Sequence, residues 1–318
     1  MPDPFSQRPR DRAPFPRRLR VGIAALGFLM SWSCGPSSGE ITPTDVYHVV
    51  DTINAELDAL LATSGNHYEA DPTAPPLTPR QPRHVVQKAR EVLLKAQTLR
   101  ALNGLPENPV PPFPLTEAVP ADSKAMVDAI LRDLYELRTK FAVSEQPSPP
   151  PPLVPGRTPT DVYANLQRAS DSLDLLGVPR TMPNDVNRVA MMIVQDLEVI
   201  LAARHRPVPA PAAPARRDMT PADTYQKAFE VLDRLRARTE ADPALAVRGG
   251  IVLPNRRVPP LTPAHVLDLE NNLLAELGSI KATLGITART VVPPLIHGKT
   301  PSDTYDTLSR ALALVDAL

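Results

Sequence analysis

Only one of the 318 residues is a cysteine, Cys34, so no intrachain disulfide can staple this chain. Aromatic residues make up 4% of it, so any core must be assembled from Leu, Val, Ile and Ala. An excess of positive charge is missing too. Beyond residue 33 the chain carries 29 basic against 33 acidic side chains, which gives no electrostatic case for nucleic acid. The six histidines lie far apart, none at the i, i+3 or i, i+4 spacing of a helical metal site, and no second cysteine can join them. Gly298-Lys299-Thr300 has the end of a phosphate-binding loop, but Pro293 occupies the place of its required earlier glycine. No Gly-x-Ser-x-Gly elbow occurs. These gaps leave no catalytic residue, cofactor or metal ligand to nominate, and the expectation is a protein that is not an enzyme.

Proline is the residue in excess, with 40 copies, and they cluster between long proline-poor segments. They punctuate structure instead of preventing it. At the N-terminus, Arg17, Arg18 and Arg20 precede an apolar run from Val21 to Trp32, and Ser31 and Ser33 stand at positions −3 and −1 before Cys34. The run is shorter than the roughly 20 residues a membrane-spanning helix needs. The segment resembles a bacterial lipoprotein export signal. That resemblance implies a signal peptide over 1–33, lipid attachment at Cys34, a flexible tether over 34–41, and a membrane-anchored protein of the bacterial cell envelope, periplasmic or surface-exposed. The same segment also allows a chain cleaved and released, or an uncleaved anchor.

A phrase recurs along the rest of the chain. Thr42-Pro43-Thr44-Asp45-Val46-Tyr47 returns as Thr158–Tyr163, Thr220–Tyr225 and Thr300–Tyr305, with weaker copies at Pro82, Pro120, Pro183 and Pro263. Its chemistry is that of a helix start: Thr as N-cap, Pro at N1, and an acidic N3 that closes a capping box. Counting each proline as zero, apolar residues fall at +3, +7, +10, +14 and +17, the stripe of a helix packed lengthwise on its neighbours. Arg238 and Glu270 break the stripe. The spacings between these prolines are 39, 38, 39, 24, 38, 42 and 38 residues. The single short step divides the chain into halves of matching order. The predicted fold is therefore all-α: eight helices forming a tandem duplication of a four-helix unit, over 42–177 and 178–318, with long proline-rich extended connectors.

A polyproline II connector of 12 residues covers about 37 Å, more than the roughly 30 Å of a 20-residue helix. Each connector can thus run back along its helix and start the next one parallel to it; an antiparallel bundle with slack loops is equally allowed. The six-residue link Gly177–Met182 is too short to return, which predicts an antiparallel hairpin of the fourth and fifth helices. The motif tyrosines Tyr47, Tyr163, Tyr225 and Tyr305 are the candidate partner-binding residues, as a row that grips an extended chain or as lids on connector prolines. Together these features predict a helical scaffold, tethered to the envelope, that binds a protein partner or forms a homo-oligomer. A receptor with a small-ligand pocket between bundle helices is the alternative.

Overall fold

The structure is a computed structural model that describes residues 39–72, 74–144, 146–210 and 217–318. The export signal, Cys34 and most of the tether lie outside the described residues. Those described form eight α-helices and no strand: α1 (Pro43–Thr63), α2 (Pro82–Leu102), α3 (Pro120–Leu137), α4 (Pro159–Leu175), α5 (Pro183–Ala203), α6 (Pro221–Ala241), α7 (Pro263–Thr283) and α8 (Pro301–Ala317). Every helix begins on one of the eight prolines.

The helix starts share one device, an acceptor at N3 that takes the N-cap N–H. In α1, α4, α6 and α8 the N-cap threonine also contributes its hydroxyl. Asp45 accepts from both Thr42 N–H (2.8 Å) and Thr42 Oγ1 (2.7 Å), and Asp303 does the same for Thr300. In α3 and α5 the hydroxyl is gone, and Asp122 and Asp185 take the N–H of Val119 and Met182 alone. In α2 and α7 a histidine replaces the acid: Nδ1 of His84 accepts from Gln81 N–H, and Nδ1 of His265 from Thr262 N–H. Satisfying these orphan donors is worth about 0.5–2 kcal/mol per helix.

The apolar stripes bring α1 to α4 around one core and α5 to α8 around another. Within the first group α1 packs on α3 and α4, and α2 packs on the same two; in the second, α5 and α6 each pack on α7 and α8. The circuits are identical in order. All four helices of a group run parallel. Pro43, Pro82, Pro120 and Pro159 meet around one small opening, as do Pro183, Pro221, Pro263 and Pro301. Backbone amides just ahead of one helix also donate to the second residue of a neighbour: Arg80 to Thr160 (2.9 Å), Arg157 to Thr44 (3.1 Å), Met219 to Ser302 (3.0 Å) and Lys299 to Asn184 (2.8 Å).

Parallel packing obliges each connector within a group to travel the length of the bundle. Their backbone polar groups are met by charged side chains that the helices bury for the purpose. Glu56, Asp133, Asp196 and Glu276 each lie 13 residues after their helix proline, on α1, α3, α5 and α7, and all four are buried. Glu56 accepts from Ser148 N–H (2.7 Å), Asp133 from the side-chain amide of Asn108 (2.7 Å), Asp196 from Thr290 Oγ1 (2.6 Å) and Glu276 from Val252 N–H (2.9 Å). Cations complete the clamps. Arg138 binds Glu56 and the carbonyls of Ser144 and Gln146, Arg100 holds the carbonyl of Pro106 (2.8 Å), and Lys281 pairs with Asp196 (2.7 Å). Carboxylates that the sequence places off the apolar stripe, and so on a solvated face, are instead covered by the returning connectors.

Helices α4 and α5 form no hairpin, which corrects the expectation drawn from their short link. The buried face of α4 is spent on α1 and α2, and that of α5 on α7 and α8, so neither has an apolar surface left for the other. The groups meet through α2 and α7, which run antiparallel, since Arg83 reaches Glu276 while Lys88 reaches Asp268.

Candidate functional site

The joint between the groups is polar and dry. Arg83 donates from Nε to Glu276 (2.8 Å) and from its two other nitrogens to the carbonyls of Arg248 (2.9 Å) and Gly250 (2.6 Å). His84 spends Nδ1 on its own cap, so its Nε2–H donates to the other Glu276 oxygen (2.8 Å). Burial is the larger influence on this imidazole and lowers its pKa, against the pull of Glu276, so it is neutral. On Glu276 burial acts upward, but His84 and Arg83 outweigh it and hold the carboxyl below its ordinary range.

One turn along, Lys88 donates to Asp268 (2.7 Å) and Glu91 (3.0 Å), and the Tyr163 hydroxyl donates to Asp268 (2.8 Å). Burial raises the Asp268 pKa, but Lys88, Tyr163 and Arg80 together overcome it and bring the group down to about 2. Asp268 is therefore charged throughout the physiological range. Arg80 stacks over the Tyr163 ring, 4.5 Å from its centroid.

Beside this joint lie two cavities of about 470 and 330 Å³, which share Gln87, Arg90, Met192 and Leu274 as a common floor. The larger is walled by the α2–α3 connector from Val110 to Leu115 and by Ile286 to Thr290 after α7. The smaller is bordered by Val178–Met182, the short link between α4 and α5, which bridges the groove in place of a hairpin. Helix ends set these walls. Gly177 and Gly285 adopt positive φ (95° and 67°), and the next residues bond back into the helix, Val178 N–H to Leu173 O and Ile286 N–H to Lys281 O. That turn aims Val178 and Ile286 at the cavities.

No family model, curated protein or solved structure matches this chain. The groove must be read from its own residues. Its waist holds Arg90, a half-buried guanidinium with no hydrogen-bond or ion-pair partner among the described residues. Burial depresses its pKa, the mark of a cation placed at a cost in hydration. Leu94, Met182 and Val292 line the smaller cavity and remain exposed to solvent at 47%, 56% and 47%.

The motif tyrosines do not gather in this groove. Tyr163 and Tyr225 are buried, the former at the joint and the latter accepting from Arg257 N–H (3.3 Å). Tyr47 lies under Arg157 (4.3 Å) and Tyr305 under Lys227 (5.1 Å), both half-buried. Sequence reasoning missed Arg90. Its only signal is an arginine eight residues into a helix, on a face that a soluble helix normally gives to water. Among the described residues no group of three His, Cys, Asp or Glu is placed to hold a metal ion, and no helix is long and apolar enough to cross a membrane.

Proposed function

We propose that this chain is a non-catalytic binding protein of the bacterial cell envelope, exported by residues 1–33, lipid-tethered at Cys34, and receiving its ligand in the groove between its two helix groups. The observation that carries the reading is Arg90, an unpaired cation at the waist of two adjoining cavities of ligand size. The pocket lies between bundles; the small openings within each bundle, about 10 Å³, are too small for a ligand. The charged groups of the neighbouring joint already bind one another, which leaves the groove without an acid–base pair for chemistry.

The reading includes an origin by duplication of a four-helix unit with proline-rich extended connectors. Three correspondences support it: the shared packing circuit, the paired bonds between helix starts, and the carboxylates 13 residues into the first and third helix of each half.

The test is native mass spectrometry of the chain purified from envelope membranes, with Ala288→Trp crowding the exposed wall of the larger cavity. A small molecule retained by the wild type and lost from the variant is the expected outcome. Equal spectra for the two proteins, or a chain recovered only from the soluble fraction with Cys34 unmodified, would overturn the groove or the tether respectively.

A further inference from the structure

The groove is chemically lopsided. Three cations, Arg90, Lys281 and Arg289, line the larger cavity, and no carboxylate does. Lys281 is neutralised by Asp196 from behind, and Arg289 donates to the carbonyl of Phe113 (2.8 Å), a bond that leaves its charge unbalanced. Arg90 has neither kind of partner. A guanidinium half-removed from water keeps its affinity for a carboxylate and presents donors in a planar fork suited to two oxygens.

The smaller cavity continues from Arg90 in another character. Leu94, Val178, Met182, Val189, Leu267 and Val292 supply its apolar wall. Along α2 it runs from Arg90 to Thr98, eight residues, which is about 12 Å of helix. An exposed apolar trough of that length next to an unpaired cation is costly to leave in water, and it is narrower than the flat patches that protein partners cover. Charge at one end and hydrocarbon along the rest match one class of molecule.

We propose that the groove binds a single-chain anionic amphiphile, with its carboxylate on Arg90 and its acyl chain along Leu94, Met182 and Val292. The proposal rests on the groove being the ligand site. It adds head-group charge and chain as the features recognised. Arg90 supplies the selectivity for an anion; the apolar wall, including the link between α4 and α5, supplies the affinity that grows with chain length.

The test compares decanoate, decanol and decyltrimethylammonium, one chain with negative, neutral and positive heads, by isothermal titration calorimetry on the intact chain. Butanoate serves as the short-chain control. Decanoate is expected to bind at least tenfold more tightly than the other three. Arg90→Gln is expected to remove that margin while leaving decanol unchanged, and Arg90→Lys to restore part of it. Because Arg90 bonds to no protein group, its variants should melt with the wild type, which separates lost recognition from lost folding. Equal binding of decanol and decanoate, or an Arg90→Gln variant that keeps its decanoate affinity, would overturn the anionic amphiphile while leaving the groove as a ligand site. No binding of any of the four probes, together with no effect of Ala288→Trp on retained small molecules, would remove both readings.

Discussion

At the scale of single residues, Glu270 is the most exposed to test. It sits seven residues into α7, in register with Ala190, Ala228 and Leu308 of the same bundle, and neither of its oxygens has a hydrogen-bond partner. Burial alone pushes its pKa well above the ordinary carboxylate range, so the native state holds a proton that the unfolded chain releases. Stability must then fall as pH rises from the unfolded value of about 4.3 and level off above the folded one. Glu270→Leu should stabilise the protein at pH 7 by about 1–3 kcal/mol, the usual cost of an unsatisfied buried polar group. Urea unfolding at pH 5 and pH 8 checks both parts. A variant that gains nothing at pH 8 would show that the carboxyl finds a partner.

The break at Glu270 was visible in the sequence as an interruption of the apolar stripe. The four connector carboxylates were not, because they lie off that stripe and look like ordinary polar-face residues. Only their shared position, 13 residues after a helix proline, marks Glu56, Asp133, Asp196 and Glu276 as a set.

At the scale of elements, helix starts were legible to the residue, since Pro at N1 and an acceptor at N3 are local chemistry. The weaker copies looked weak because they lose the N-cap hydroxyl, which the structure treats as dispensable beside the N3 acceptor. Connector direction was not legible. It depends on bonds between residues far apart in the chain, such as Glu56 with Ser148 N–H. That clamp yields a clear expectation. Glu56→Ala strands the buried Arg138 guanidinium and should cost about 3–5 kcal/mol, the usual penalty for breaking a buried pair. Chemical denaturation measures it, and limited proteolysis should cut first within residues 141–158. A loss below about 1 kcal/mol, the scale of a surface pair, would mean that the connector is not held there.

At the scale of the whole molecule, the joint follows from a substitution between equivalent positions. In the first bundle Arg100, 18 residues into α2, lies beside the buried Asp133 (3.8 Å). The matching place on α6 holds Thr239, so Glu276 has no cation from its own bundle and takes Arg83 and His84 from the other. Arg83→Ala should therefore destabilise the full chain by about 3–5 kcal/mol. Adding Thr239→Arg should recover part of that loss by restoring a partner within the bundle. A double variant no more stable than Arg83→Ala alone, by urea titration, would sink this account. The helix count and the division into halves were readable from the proline spacing. The joint and its groove were not, because α2 and α7 carry no distinguishing apolar face, only charged residues whose partners sit about 190 positions away in the chain.

The returning connectors also bear on how the chain reaches this state. In an ordinary up-and-down bundle, successive helices meet soon after a short turn, and such proteins fold among the fastest known. Here facing positions in the first bundle are 38 or 39 residues apart at the least, and α1 with α4 are 116 apart, measured from Pro43 to Pro159. Helices supply local contacts within each element, but every contact between elements must close a long loop first. An all-helical protein is thereby given the contact order of a β-sheet protein, and its folding rate should fall in the slow range of that class.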